Sequence, residues 1–354
     1  MSTLSQRRDS NRVAVQLTHA GKPVNVVFTA GRSPASIVLS DGKQVEAVCI
    51  RCENQPCSTY SAGELQLCSQ PDFPLDQNSN VCPTSAITFS ASGLPSIDSD
   101  HCIGCGLCAV RCPVGAIGLR DGIAQVAVSP RSGWTLAADP SGKVARSELQ
   151  RFTGVARIGS IFAPNAANVG RFLERLNSAS QRSDTQFPNL FARNLLIANG
   201  ISTAMRRRGD VNVRMDLLME SPTGEIAVGE VESDGDAMID TPRNIIDDAA
   251  VAISRLGVKR ERLGALIVGF RLPNQRSEYW QLLVDVQDVT SLKVETITVG
   301  ALVAALWLRK QLRLLDDARY FTGTSRQIRK AAEADLGLAL TLPRGFGALY
   351  ESEK

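Results

Sequence analysis

Apolar and polar residues alternate in three short runs near the start of the chain, Val13–Leu17, Val24–Phe28 and Ile37–Leu39. Ala20-Gly21-Lys22-Pro23, Gly31 and Asp41-Gly42 interrupt them, and this period of two broken by turn residues predicts a small antiparallel meander. Further along the period changes. Val169, Phe172, Leu173 and Leu176 recur at helical spacing, as do apolar residues within Phe187–Ala198. Two strands are predicted at Asn212–Met219 and Glu225–Glu232, joined by the turn Ser221-Pro222-Thr223-Gly224. A helix from about Arg243 to Leu256 follows, with Thr241-Pro242 as its start signal. A strand at Ala265–Phe270, a helix near Glu278–Val286, a strand near Lys293–Val299 and helices at Leu302–Leu314 and Ser325–Leu336 complete the pattern.

Between these regimes, residues 129–146 are rich in Ser, Pro, Gly and Asp and read as a linker. The expected division is a β-rich extension at 1–48, an α+β unit at 49–128, the linker at 129–146 and an α/β domain at 147–354.

The second stretch carries the clearest chemistry. Cys102-x2-Cys105-x2-Cys108-x3-Cys112-Pro113 has the spacing of a run that holds a [4Fe–4S] cluster. Upstream lie Cys49-x2-Cys52-x4-Cys57 and then Cys82-Pro83, so eight of the nine cysteines fall into two sets. The fourth thiolate of such a run ligates the other cluster when two are present. One cluster is thus expected on Cys49, Cys52, Cys57 and Cys112, and a second on Cys82, Cys102, Cys105 and Cys108. Zinc knuckles pair CxxC units, which this run matches poorly. An odd cysteine count with no mark of secretion argues against a disulfide framework. Cys68 is left over, either as a free or buried thiol or as a substitute ligand for the first cluster.

The segments CIRCENQPC (49–57), VCPTSAI (81–87) and DHCIGCGLCAVRCPVGAI (100–117) resemble the dicluster ferredoxin fold, especially the electron-transfer subunits of molybdopterin oxidoreductases. The resemblance spans roughly residues 45–127 and implies a redox partner protein or a larger complex. One departure is the insertion from Thr59 to Val81, whose Pro71, Pro74, Asn78 and Asn80 read as a surface loop and a docking surface.

Composition narrows the remaining classes. A formal net charge of +3 does not by itself announce nucleic acid. The two histidines are His19 and His101, so a histidine base is excluded from the C-terminal half. The longest apolar run, Ile297–Leu308, is too short to span a bilayer, and no membrane span is expected. Arg7-Arg8 is followed by Asp9-Ser10-Asn11-Arg12 instead of an apolar stretch, which argues against export and for a cytoplasmic protein.

The α/β stretch adds carboxylates. Asp216 falls on the first predicted strand of the hairpin, and Glu230 and Glu232 share one face of the second. Three such groups suit a hard cation, Mg²⁺ or Mn²⁺, with Asp216 and Glu230 as its first ligands, and such an ion activates water against a phosphodiester. With the element order, Asp216 and Glu230-Val231-Glu232 resemble the PD-(D/E)xK restriction-endonuclease-like fold over roughly residues 165–300. The resemblance implies catalytic roles for Asp216, Glu230 and Glu232, although Glu232 stands where that motif usually has Lys. Arg206, Arg207 and Arg208 precede the hairpin and are the expected DNA contacts. Arg309, Lys310, Arg313, Arg326, Arg329 and Lys330 form a second basic group, diluted by Asp316, Asp317, Glu333 and Asp335.

Two readings follow. In the first, a dicluster module is coupled to a nuclease-like domain that binds or cleaves DNA. In the second, the chain is a ferredoxin-type electron-transfer subunit of a multisubunit oxidoreductase, with a non-catalytic C-terminal docking domain. The carboxylates and the arginine run tip the sequence toward the first.

Overall fold

The computed structural model describes residues 18–19, 22–23, 25–29, 32–38, 41–52, 54–128, 156–234, 237–315, 319–321 and 323–337. Val13–Leu17, Arg7-Arg8 and the linker at 129–146 lie outside them.

The first strands are β1 (Thr18–His19), β2 (Lys22–Pro23), β3 (Asn25–Thr29), β4 (Arg32–Val38) and β5 (Gln44–Glu46). β3, β4 and β5 form an antiparallel meander, and β10 (Ala156–Ile158) joins its free edge parallel to β3. Val26, Phe28, Ala35 and Ile37 bury one face of this sheet. It lies against the cysteine-bearing region, where the Ala35 N–H donates to the carbonyl of Gly115 at 3.1 Å.

That region is an internal repeat. Cys82-Pro83-Thr84-Ser85-Ala86-Ile87 leads into β6 (Ile87–Phe89), and Cys112-Pro113-Val114-Gly115-Ala116-Ile117 leads into β8 (Ile117–Arg120). β6 pairs with β7 (Pro95–Ile97) and β8 with β9 (Ile123–Val126), each as a hairpin. Ser85 and Gly115 occupy equivalent places with φ of 53° and 71°, a left-handed conformation that turns the chain back toward each cysteine. Two short helices, α1 (Ala62–Leu65) and α2 (Leu107–Arg111), complete this part.

The C-terminal half begins with α3 (Ala166–Arg182), capped by Asn165, and α4 (Phe187–Ala198). Its sheet runs in the order β11 (Ser202–Met205), β12 (Leu217–Glu220), β13 (Ile226–Glu232), β14 (Leu263–Gly269) and β15 (Val294–Thr298). The first three strands are antiparallel, while β13, β14 and β15 are parallel. Parallel neighbours need crossovers, supplied by α5 (Thr241–Leu256) and α6 (Tyr279–Thr290). α7 (Val299–Leu308) continues directly from β15, and α8 (Ser325–Leu336) follows. The apolar run of residues 297–308 is a strand that becomes a helix, with α7 starting at Val299 and ending at Leu308. Asp216 lies just ahead of β12 and not within it, and Asn212–Met215 are not in a strand.

The insertion at 59–81 is not a free surface loop. Leu75 bridges Arg206 at the open edge of β11, the Asp76 N–H donates to the Met205 carbonyl at 2.8 Å, and the Arg207 N–H to that of Pro74 at 2.7 Å. Tyr60, Leu65, Leu67, Phe73 and Val81 are buried. The segment covers an otherwise unpaired sheet edge and fastens the two halves of the chain together.

Candidate metal centre

The eight cysteines of the two sets gather around two enclosed cavities. Cys49, Cys52, Cys57 and Cys112 line one, of about 340 Å³ of empty space, with Ile50, Phe89, Val114 and Ile117. Cys82, Cys102, Cys105 and Cys108 line the other, of about 350 Å³, with Ile87, Ile97, Ile103 and Leu107. In each quartet two thiols are buried and two half-buried, and apolar side chains wall each site. Every cysteine is a free thiol, and Cys68 stands exposed, apart from both quartets.

The backbone is turned toward the sulfurs. The Ala86 N–H points at Cys82 Sγ and the Ala116 N–H at Cys112 Sγ, each at 3.2 Å. The Arg51 N–H stands 3.4 Å from Cys49 Sγ, and the Ala124 N–H 3.5 Å from Cys102 Sγ. Such N–H groups stabilise thiolate charge and tune a cluster's potential. Gly104 and Gly106, at φ of 74° and 88°, let the ligand loop curl. A Cβ on Gly106 would meet Ile161 Cδ1 at 2.8 Å.

Burial and the neighbouring cysteines favour the protonated thiol at Cys49, Cys52, Cys57, Cys102, Cys105 and Cys108 when no cation is near. Burial, reinforced by the neighbouring Cys112, pushes Cys57 up to about 12, and burial pushes Cys49 up to about 11. Cys52, Cys105 and Cys108 are driven up as well, again chiefly by burial. Four such thiols are stable as thiolates only around a cationic group. Among the described residues, no three His, Cys, Asp or Glu side chains converge as the ligands of one ion would. Thiols spread around a cavity suit a polynuclear cluster better than a single zinc.

The C-terminal half reaches into the second quartet. Trp307, 1% exposed, donates its indole N–H to the carbonyl of Cys105 at 3.0 Å. Arg175 on α3 donates to the carbonyls of Cys102 and Ser99 at 2.8 and 2.9 Å. Arg193 and Asn194 on α4 hold the chain just before Cys82. The former donates to the Asn78 carbonyl at 2.7 Å, and the latter to those of Asn80 and Val81 at 2.9 and 3.0 Å. Nothing in the local sequence announced Trp307, Arg175, Arg193 or Asn194.

The carboxylates form a pocket at one end of the five-stranded sheet. Asp216 accepts the amide of Asn189 at 2.8 Å and the N–H of Val231 at 3.2 Å. Glu230 is held well above the carboxylate range, to about 10, by burial, by the nearby Asp216 and by a hydrogen bond to Asp248. Glu232 turns aside to accept the hydroxyl of Thr241 at 3.0 Å. Asp248, 3% exposed, keeps one carboxylate oxygen without a hydrogen-bond partner. The sequence did carry a signal for it: Asp248 lies on the buried stripe of α5 with Ile245, Ala249 and Ala252.

The arginines are largely committed. The Arg206 guanidinium donates to the Asp210 carbonyl at 3.1 Å, and its charge reaches Asp216. Arg207 pairs with Asp210 at 3.3 Å and Arg208 with Asp184 at 3.4 Å. In the second basic group, Arg313 pairs with Asp335 and Arg329 with Glu333, while Lys310 donates to the Leu336 carbonyl. Arg309 is half-buried beside the Phe28 ring. The structure therefore disperses this group instead of presenting one basic face.

Comparisons with known proteins bear on the cysteine region. Residues 95–118 match the 4Fe-4S binding domain family. An uncharacterised ferredoxin of Methanocaldococcus jannaschii is 33% identical over 77 residues, which is 22% of this chain and 36% of that protein. An iron-sulfur protein of Rhodospirillum rubrum is 30% identical over 116 residues, 32% of this chain and 50% of that protein. A selenate reductase subunit of Mesobacillus selenatarsenatis is 34% identical over 68 residues, 19% of this chain and 16% of that protein. The chain thus spans half or less of these relatives' lengths. No solved structure matches it. These likenesses favour the ferredoxin-type reading over the nuclease reading that the carboxylates and arginines had favoured. No described helix is long and apolar enough to cross a membrane. The chain carries a 4Fe-4S ferredoxin domain.

Proposed function

We propose that this chain is a ferredoxin-type electron-transfer protein with two [4Fe–4S] clusters, acting with a protein redox partner as a subunit of a larger oxidoreductase. The observation that carries the reading is the sorting of eight cysteines into two cavity-lining quartets, each completed by a cysteine from the other sequence motif. Cys49, Cys52, Cys57 and Cys112 would hold one cluster, and Cys82, Cys102, Cys105 and Cys108 the other. Bound there, each cluster supplies one-electron chemistry. The residues of the chain do the rest: the N–H groups of Arg51, Ala86, Ala116 and Ala124 stabilise sulfur charge, and the apolar walls exclude water. In this reading electrons would pass at the half-buried thiols, Cys49 and Cys52 of one site and Cys82 and Cys108 of the other. Likeness to a selenate reductase subunit supports a partner of the oxidoreductase kind.

The test is anaerobic reconstitution, followed by iron analysis and electron paramagnetic resonance after dithionite reduction. About eight irons per chain and two interacting spin systems are expected. Four or fewer irons would overturn the two-cluster reading.

A second reading rests on the acidic pocket. Burial raises the pKa of Asp216, Glu230 and Asp248, the charge of Asp216 raises the latter two further, and the order α4, β11, β12, β13, α5, β14 accompanies them. In that reading Asp216 and Glu230 would hold Mg²⁺ or Mn²⁺, which would supply an activated water, and Arg206, Arg207 and Arg208 would hold DNA. Metal-dependent cleavage abolished by Glu230→Ala would carry it, and absence of both cleavage and DNA binding would remove it.

A further inference from the structure

The loop that enters the second quartet is held from α3. Arg175 Nη1 donates to the carbonyls of Ser99 and Cys102 at 2.9 and 2.8 Å. Arg182, two turns further along the same helix, donates to the Asp100 carbonyl at 3.3 Å. Cys102 closes the turn by donating its own N–H to the Asp98 carbonyl at 3.0 Å. The first ligand of the run is thus placed by a helix of the C-terminal half. Arg175 lies outside residues 95–118, the stretch that matches the 4Fe-4S binding domain family.

Arg175 brings charge as well as hydrogen bonds. Both of its acceptors are neutral carbonyls, and among the described residues no carboxylate is paired with it. Nearby arginines differ. Arg171, one turn earlier on α3, lies 3.8 Å from Asp121. Arg111, which precedes Cys112, pairs with Glu64 at 2.8 Å. Those charges are offset, and that of Arg175 is not. Arg175 is also half-buried, so it is screened less than a surface charge. Its field reaches the ligand itself: burial raises the Cys102 thiol, and the Ala124 N–H, 3.5 Å from Sγ, and the Arg175 charge both oppose that rise.

We infer that Arg175 is a positioning residue of the Cys82–Cys102–Cys105–Cys108 site, and that its guanidinium, seated on the Cys102 carbonyl, raises the reduction potential of a cluster held there. The inference rests on the two-cluster reading. Four thiolates on a dicationic iron–sulfur core leave a dianion, and one-electron reduction by a protein donor adds a further negative charge with no bond made or broken. A nearby cation without a carboxylate partner favours the more negative state. The C-terminal half thereby tunes the site as well as covering it.

The experiment is a redox titration of the full, anaerobically reconstituted chain, followed by electron paramagnetic resonance. The signal of the Cys102 site is identified as the one lost in Cys102→Ala. Arg175→Gln keeps a donor for the carbonyls and removes the charge. It should lower the equilibrium constant for reducing that cluster about threefold, about 28 mV for a one-electron couple. The other cluster should stay put, and Arg175→Lys should restore most of the loss. An unchanged potential, equal shifts in both clusters, or no rescue by Arg175→Lys would overturn the inference. Should Arg175→Gln fail to retain iron, Arg175→His supplies a second measurement, since its imidazole is charged at about pH 5.5 and neutral at about pH 8.5. Relative to wild type, the potential of the same cluster should fall across that range, and parallel profiles would overturn the inference equally. Wild-type protein that takes up no clusters would sink the electron-carrier reading itself, a different outcome from clusters with unshifted potentials.

Discussion

The indole Nε1–H of Trp307 donates to the carbonyl oxygen of Cys105 at 3.0 Å, across 202 positions of chain. Trp307 also packs edge-on against Phe162 and Phe172, with ring centroids 5.0 and 5.7 Å away. Its own carbonyl accepts the N–H of Ile161 at 2.8 Å. α7 is thereby locked onto the loop that carries three cysteines of one quartet. Trp307→Phe keeps an aromatic ring but removes the donor together with the pyrrole part of the buried indole. Leaving the buried carbonyl unsatisfied costs about 1–3 kcal/mol. The expected result is faster bleaching of one cluster in air with the other unaffected. Equal bleaching rates in the variant and the wild type would contradict the coupling.

Gly104 and Gly93 make a matched pair of backbone tests. Both have positive φ, 74° and 75°. A Cβ on Gly104 would collide with the carbonyl oxygen of Gly122, whereas on Gly93 it would rest 3.8 Å from Arg51 Cβ. Gly104→Ala is expected to empty the Cys102-containing site, taking iron from about eight to about four per chain. Gly93→Ala should pay only the left-handed backbone cost, about 1–2 kcal/mol, and keep its iron. Retention of full iron by Gly104→Ala would show that the loop need not pass so close.

The crossing of the two motifs is testable by single thiol removal. Cys112 lies ten residues beyond Cys102 in sequence but shares a cavity with Cys49, Cys52 and Cys57. Cys112→Ala should therefore change the spectrum of the same cluster as Cys49→Ala, and Cys82→Ala that of Cys105→Ala. Cys68 is exposed, and Cys68→Ala should leave iron and spectra unchanged. Loss of iron in Cys68→Ala would restore it as a ligand.

The cysteine sets were legible because local spacing constrains how a loop can wrap a cluster, and four of these cysteines line each of two cavities. The insertion was not legible. Its Pro and Asn residues look like any surface loop. What fixes it is remote: Asn194, 114 positions from Asn80, and Tyr60, 134 positions from Asn194. β11 was missed because Ser202–Met205 is short and nearly all buried, without the alternation that betrays a strand. The pocket of Asp216 and Glu230 was seen only in part, since Asn189 and Asp248 come from helices whose orientation the sequence does not state.

That pocket yields a pH prediction. Burial, then Asp216 and Asp248, hold Glu230 protonated in the folded chain up to about 10, while an unfolded glutamate ionises near 4.5. Between those values the folded state binds a proton that the unfolded state has released, so stability falls as pH rises. Glu230→Gln removes that proton linkage and keeps a hydrogen-bond donor toward Asp248. It should flatten the decline and stabilise the chain at pH 8 by about 1 kcal/mol or more, a rise of a few degrees in Tm. Thermal melts from pH 5 to 9 read this directly, with wild type and variant converging toward the acid end. Repeating the melts with millimolar Mg²⁺ separates the two roles of the pocket. A bound cation would replace the proton, raise the wild-type Tm at pH 8 and leave Glu230→Gln behind. Melts indifferent to Mg²⁺ would leave the pocket a protonated structural cluster and remove the phosphodiester reading. A Glu230→Gln variant less stable than wild type at pH 8 without Mg²⁺ would refute the protonated assignment.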